Sequence, residues 1–136
     1  SDPFLAQSFK DLQGEDRALS TYIGKPLVVN FWATWCAPCV KEMPDLQELH
    51  KRYPEVNFVG IAVDSLDNVK EFLERVPVSY DILLAGSGGL KQMRSVGNKK
   101  GGLPFTVVFG SNGRVSERIL GQIDPEKLDE VIKAQR

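Results

Sequence analysis

The chain's only two cysteines stand three positions apart in Trp35-Cys36-Ala37-Pro38-Cys39, directly after the apolar run Leu27-Val28-Val29-Asn30-Phe31-Trp32. Two thiols at that spacing can close a disulfide where the backbone turns into a helix. A strand leading into such a turn sets the first sulfur at an exposed helix N-terminus, where the helix dipole favours a thiolate. The chemistry suggested is reversible thiol–disulfide exchange. With Cys36 as the N-cap, Ala37, Pro38 and Cys39 take the first three helical positions. Pro38 costs no hydrogen bond there, because the first amides of a helix have no internal partner. The Cys39 amide is then the natural donor to the Cys36 sulfur. Cys36 is expected to be the attacking thiolate, and Cys39, one turn further in, the more buried resolving thiol. The spacing leaves open an inert local disulfide and a metal-binding pair. A metal would need further ligands, and the single histidine, His50, lies about three helical turns away and reads as a plain surface residue.

A second feature is Leu103-Pro104-Phe105 after Gly101-Gly102. Proline is tolerated where a strand starts, and by spacing alone Pro104 is an ordinary loop residue.

The elements that must position these residues follow from patterning. The 136-residue length fits one domain over residues 1–136, enough to bury roughly 68% of the unfolded surface in a single core. Apolar content of 42% and charged content of 26% are those of a soluble globular chain. The net charge of −1 gives no electrostatic case for nucleic acid or an anionic membrane. No apolar run reaches the roughly 18 residues a membrane span needs. The opening Ser1-Asp2-Pro3-Phe4 lacks the basic and apolar regions of a signal peptide. It reads as a trimmed start, with any export signal or anchor removed.

A short hairpin is expected around Gln13-Gly14-Glu15-Asp16, followed by a central strand over 27–32, covered on both faces. A helix over 36–53 carries Met43, Leu46, Leu49 and Tyr53 at helical spacing and is bent by Pro44. A buried strand over 56–63 leads through Asp64-Ser65, an N-cap pair, into a helix bearing Val69, Phe72 and Leu73. A short strand over 80–85 and a brief helix with Leu90, Met93 and Val96 follow. The strands 105–109 and 115–120 form a hairpin through Ser111-Asn112-Gly113. Asp124-Pro125 opens a last helix with Leu128, Val131 and Ile132 facing inward. Helix-linked strands pair in parallel and the late hairpin adds antiparallel ones. The expected fold is α/β: a mixed central sheet flanked by helices on both faces, with an N-terminal hairpin extension and a central strand–helix insert.

The stretch from Phe31 to Cys39, Pro44 five residues later, and Pro104 before an antiparallel hairpin resemble the thioredoxin fold. The resemblance is closest to its TlpA/ResA (DsbE-like) branch of extracytoplasmic thiol–disulfide oxidoreductases, which includes cytochrome c maturation proteins. It runs from about Phe9 to Lys133. It implies that Pro104 is the cis-proline set against the disulfide, and that the Leu103 backbone pairs with a bound substrate segment. It places Trp35 and Pro38 among the substrate-contacting residues. Glu42, three residues after Cys39, matches the glutamate that aids proton transfer and substrate recognition. Asn30 departs from the buried aspartate of cytoplasmic thioredoxins, which moves proton handling to Glu42 or water. Cytochrome c maturation members carry an acidic residue after the cis-proline, where this chain has Phe105.

The resemblance implies a dithiol that reduces disulfides of exported proteins, with no bound cofactor or metal. Partners would be disulfide-containing proteins and an upstream membrane thiol donor, with the protein a monomer in the bacterial periplasm or anchored facing it. Ala37-Pro38, with no histidine between the cysteines, points to the reducing end of the potential range. The peroxidatic pattern Pro-x-x-x-Thr/Ser-x-x-Cys fails, since Val29 and Ala33 stand at its positions before Cys36, and Trp32 and Cys36 before Cys39. A copper chaperone or a non-catalytic binding domain is the alternative reading.

Overall fold

The computed structural model describes residues 1–136, the Ser87 side chain apart. Its strands are β1 Ser8–Asp11, β2 Asp16–Ala18, β3 Leu27–Trp32, β4 Asn57–Ala62, β5 Asp81–Leu84, β6 Phe105–Phe109 and β7 Val115–Leu120. Its helices are α1 Ala37–Arg52, α2 Leu66–Arg75, α3 Gly89–Ser95 and α4 Pro125–Ala134. All seven strands join one sheet in the order β2-β1-β5-β4-β3-β6-β7. As expected of helix-linked strands, β3, β4 and β5 run parallel, and the late hairpin adds β6 antiparallel to β3 and β7 antiparallel to β6. The N-terminal hairpin extends the far edge, where β1 pairs antiparallel with β5.

Every residue of β3 is buried, which explains its almost unbroken apolar run: helices or turns cover both sides. Alternation then divides the core in two. Val28 and Trp32 face a layer built on α1, α2 and α4, with Met43, Leu46, Leu49, Phe72, Leu128 and Ile132. Leu27, Val29 and Phe31 face the opposite layer, where α3 contributes Met93 and the N-terminal segment covers the rest. Helices thus lie on both faces, three on one and one on the other.

The first residues, for which the pattern specifies no element, close this second layer. Pro3–Ala6 forms a 3-10 turn capped by Asp2, whose Oδ1 accepts from the Phe4 amide at 2.9 Å. Phe4 is buried with its ring 5.9 Å from that of Phe31 and 6.2 Å from that of Phe109. The turn does the work of a helix that this face lacks.

His50 corrects the sequence reading. It is half-buried on α1, its ring edge-on to Phe58 at 5.6 Å and to Tyr80 at 6.0 Å. Its position on α1 turns it toward the sheet rather than to solvent. Val131, expected inward, is only half-buried beside fully buried Leu128 and Ile132. Among the described residues, no helix is long and apolar enough to cross a membrane.

If the N-terminal turn is part of the cooperative core, Phe4→Ala should lower unfolding free energy by about 3 kcal/mol, as large-to-small core changes do. The denaturant midpoint at unchanged slope measures this, and a loss under about 1 kcal/mol would show the turn to be peripheral.

Candidate active site

The end of β3 and the start of α1 bring the cysteines to one corner of the sheet. Cys36 is the N-cap of α1, in extended conformation, and Pro38 sits in the first turn, where its missing N–H is harmless. The Cys36–Cys39 disulfide is formed, with the two Cα atoms 5.3 Å apart. Cys39 is fully buried, whereas Cys36 keeps 7% of its surface. The order of burial matches the expected roles, but Cys36 is less exposed than a free helix N-terminus suggests. Nor does its sulfur accept a capping hydrogen bond, as the spacing predicted for the Cys39 amide. The reason is chemical: the sulfur is bonded to Cys39, and the anion that would draw the amide exists only in the reduced form.

Around the disulfide, Trp35 is 68% exposed and Pro38 is exposed beside it. Leu103 is half-buried against the apolar cluster that holds both cysteines. The Leu103–Pro104 peptide bond is cis. β6 pairs with β3 up to Phe31–Phe105, so the same register sets Pro104 level with Trp32. The Pro104 carbonyl accepts from the Gly121 amide at 2.9 Å. Among the described residues, no hydrogen bond uses the N–H or C=O of Leu103. Phe105 turns the other way, into the opposite core layer, its ring 6.0 Å from that of Phe31. The position after Pro104 therefore offers no side chain to a ligand at the disulfide.

One helical turn beyond Cys39 lies a buried polar group. Glu42, one turn along α1 from Cys39, has no solvent exposure. Its Oε2 accepts from Asn30 Nδ2 at 2.7 Å, and its Oε1 from the Ile123 amide at 3.0 Å. Asn30 Nδ2 also donates to Thr106 Oγ1 at 3.0 Å, across the β3–β6 pair in which the two residues are directly opposite. Asn30 Oδ1 has no partner among the described residues. Burial pushes the Glu42 carboxyl up, the bonds from Ile123 and Asn30 pull it down, and the Asp45 charge adds a rise; the balance leaves it at about 7. Burial and the Glu42 charge also push the Tyr80 hydroxyl up. Thr106 and the Ile123 amide escaped the sequence reading, because nothing local marks partners 76 and 81 residues from the groups they touch.

Asp64 acts in two ways. Besides flanking the α2 N-terminus, it accepts from the Thr34 amide at 2.9 Å and from the Thr34 hydroxyl at 2.5 Å. Desolvation raises its carboxyl, but bonds from Thr34, Asn68 and Ser65 outweigh this and hold it below the usual carboxylate range. The bonds tie the turn before Trp35 to the end of β4. Among the described residues, no group of three or more His, Cys, Asp or Glu side chains is arranged to hold a metal.

A mixed sheet with a Cys-x-x-Cys pair at the N-terminus of the helix after its central strand, opposite a cis-proline, defines a thioredoxin-like thiol–disulfide oxidoreductase. The profile of the AhpC/TSA family matches residues 2–118. The ResA thiol–disulfide oxidoreductase of Bacillus thuringiensis subsp. konkukian is 32% identical over 126 residues, covering 90% of this chain and 70% of that one. Among solved structures, MTB dsbF, described in mixed oxidised and reduced forms, aligns with a TM-score of 0.86 at 29% identity, covering 98% of this chain and 97% of that one. A thioredoxin-related protein from Neisseria meningitidis serogroup B aligns at 0.83 with 35% identity, covering 93% and 97%. The chain belongs to the AhpC/TSA family and, with its ResA relatives, to the thiol–disulfide oxidoreductases.

A carboxyl raised from 4.5 to about 7 by folding stabilises the native state below pH 4.5 and loses that contribution as pH climbs through 7. Relative to Glu42→Gln, the wild type should therefore lose on the order of 3 kcal/mol between pH 4.5 and pH 8. Paired unfolding curves across that range check this, and a constant difference between the two proteins would mean that Glu42 does not titrate there.

Proposed function

We propose that the protein reduces disulfides of exported proteins through a Cys36/Cys39 cycle, with Glu42 as the proton partner. The observation that carries the reading is the vertical order of the site: a nearly buried Cys36 at the helix N-terminus, a buried Cys39 behind it, and a buried carboxyl near pH 7 one turn below. In the reduced protein, the α1 dipole favours the Cys36 thiolate. That thiolate attacks a substrate disulfide, forming a Cys36–substrate bond and releasing one substrate thiolate. Cys39 then gives its proton to Glu42 and attacks Cys36, and the second substrate sulfur leaves with the bonding pair. The two substrate thiolates take up two protons, one of them the proton that Glu42 relays. Two electrons have passed to the substrate, and the protein holds the Cys36–Cys39 disulfide, which an upstream membrane thiol donor must reduce.

Glu42 suits this role because a general base works best with a pKa near the working pH. Asn30 can serve both of its protonation states. Its Nδ2 now donates to the carboxylate, and a turn of the amide would offer the unpartnered Oδ1 to a protonated Glu42. Since the Glu42 side chain is fully buried, substrate recognition falls to Trp35, Pro38, Leu103 and Pro104. The unpaired Leu103 backbone groups can take an extended substrate segment as an added strand. The same reading makes the protein an extracytoplasmic monomer, the thiol–disulfide oxidoreductase class being that of its ResA relatives.

The Cys39→Ser variant should accumulate Cys36-linked mixed disulfides in a reducing extract, and their absence would count against this order of attack. Equilibration with glutathione should place the wild-type pair near the reducing end, about −270 mV. Pro38→His, which sets a cation beside the thiolate, should raise that potential by at least about 30 mV. A wild-type value close to the −120 mV of strong oxidants would reverse the direction assigned here.

A further inference from the structure

Charge is unevenly spread along a chain that carries 17 basic and 18 acidic residues. Residues 82–116 contain no Asp or Glu, yet hold Lys91, Arg94, Lys99, Lys100 and Arg114. Arg114 lies in the β6–β7 turn at the far end of those strands from Pro104. The other four lie on α3 or in the loop that leads to Pro104, and among the described residues none of them forms an ion pair.

That loop, 97–102, is braced. Asn98 is buried; its Nδ2 donates to the Gly102 carbonyl at 2.9 Å and its Oδ1 accepts from the Gly101 amide at 3.0 Å. Arg94 Nε donates to the Lys99 carbonyl at 3.3 Å, and Arg118 Nε holds the Val96 carbonyl at 2.8 Å. Gly97 and Gly101 supply positive φ angles of 112° and 75°, which other residues rarely adopt. Lys99 and Lys100 therefore project from a fixed frame. Together with Leu103, Leu120 and Gly121 they line a mainly apolar groove of about 590 Å³. Leu120 is 67% exposed, and Gly121 is bonded to Pro104, so the groove opens directly beside the cis-proline.

We propose that this groove is a specificity subsite for an extended acidic segment of the substrate polypeptide, taking an apolar side chain between Leu103 and Leu120 and an adjacent carboxylate against Lys99 and Lys100. The inference rests on the reductase reading and adds its substrate class. Three features point to a polypeptide rather than a small disulfide: the free backbone groups of Leu103, the lining of the groove by that same residue, and the exposed Leu120 beside it. Asp64, the acidic side chain bonded to the turn before Trp35, is occupied by Thr34, Ser65 and Asn68. It does not offset the lysines in the groove.

The test uses two peptides with the same internal disulfide, one flanked by Leu-Asp-Glu and the other by Leu-Lys-Lys, mixed with the reduced protein. The ratio of the two second-order reduction rates is the readout, so any change common to both peptides cancels. The acidic peptide should react about 10-fold faster at low ionic strength, and the ratio should fall toward one in high salt. It should invert in Lys99→Glu/Lys100→Glu and persist in Lys99→Arg/Lys100→Arg. Leu120→Ser should slow the acidic peptide. Equal rates in a protein that reduces both peptides, or a ratio that ignores the charge reversal, would overturn the subsite alone. A ratio of one for the peptides with fast reduction of glutathione disulfide would do so in favour of a small anionic occupant. A wild type that reduces neither peptide would overturn the reductase reading and the subsite with it.

Discussion

The site depends on β3 being paired on both edges and buried on both faces. Parallel pairing with β4 and antiparallel pairing with β6 fix its register twice. A slip of one residue would exchange the two core layers, turning Val28 and Trp32 toward the Phe4 face and Leu27, Val29 and Phe31 toward α1. That constraint places the chemistry. The end of the strand must deliver Cys36 where α1 begins. Asn30 must point down into the α1 layer, opposite Thr106, where it meets Glu42. The same pairing with β6 brings Pro104 level with Trp32, so the wall of the site comes from the strand that fixes its floor.

The floor is costly. A buried carboxylate with only two hydrogen bonds is far poorer in solvation than one in water, and desolvation outweighs both bonds here. Replacing Glu42 with an apolar residue would leave the Ile123 amide and one N–H of Asn30, whose Nδ2 would keep only Thr106, unpaired in turn, each at a cost of about 1–3 kcal/mol. The group is therefore neither a simple defect nor simple glue. It is held with enough support to stay buried and too little to stay fully ionised at neutral pH. A proton relay needs that intermediate state.

Much of this was legible in local sequence, because the signals involved are local. Two cysteines flanking Pro38 mark a helix N-terminus, and period-2 and period-3.6 patterns mark strands and helices. Asp124-Pro125 starts α4 where expected, with Asp124 Oδ1 accepting from the Glu126 amide at 3.1 Å. Long-range relations were not legible. The N-terminal hairpin was expected, but not its seat on β5, since a short edge strand carries no mark of its partner. Phe4 reads as a tail residue until Phe31 and Phe109 are folded against it. His50 looks like a surface residue until Phe58 and Tyr80 approach it. The sequence pattern placed Cys36 in the open, whereas packing leaves it only a small window. Glu42 shows the limit most plainly. Its spacing from Cys39 is local, but its burial follows from β3 and from the loop before α4.

Two opposed charges then set the redox balance of the proposed cycle. The N-terminus of α1 acts as roughly half a positive charge beside Cys36 and stabilises its thiolate, which favours the dithiol form and would make the protein an oxidant. An ionised Glu42 one turn below acts in the opposite sense: it raises the free energy of a thiolate above it and favours the closed disulfide, which drives electrons outward. Ala37-Pro38 adds no cation that would tip the balance back. Because Glu42 ionises near pH 7, the second influence strengthens as the surroundings become more alkaline. In the proposed cycle the carboxyl that costs folding stability above neutrality is also the group that would supply reducing power there, and burial, the largest influence on its ionisation, links the two.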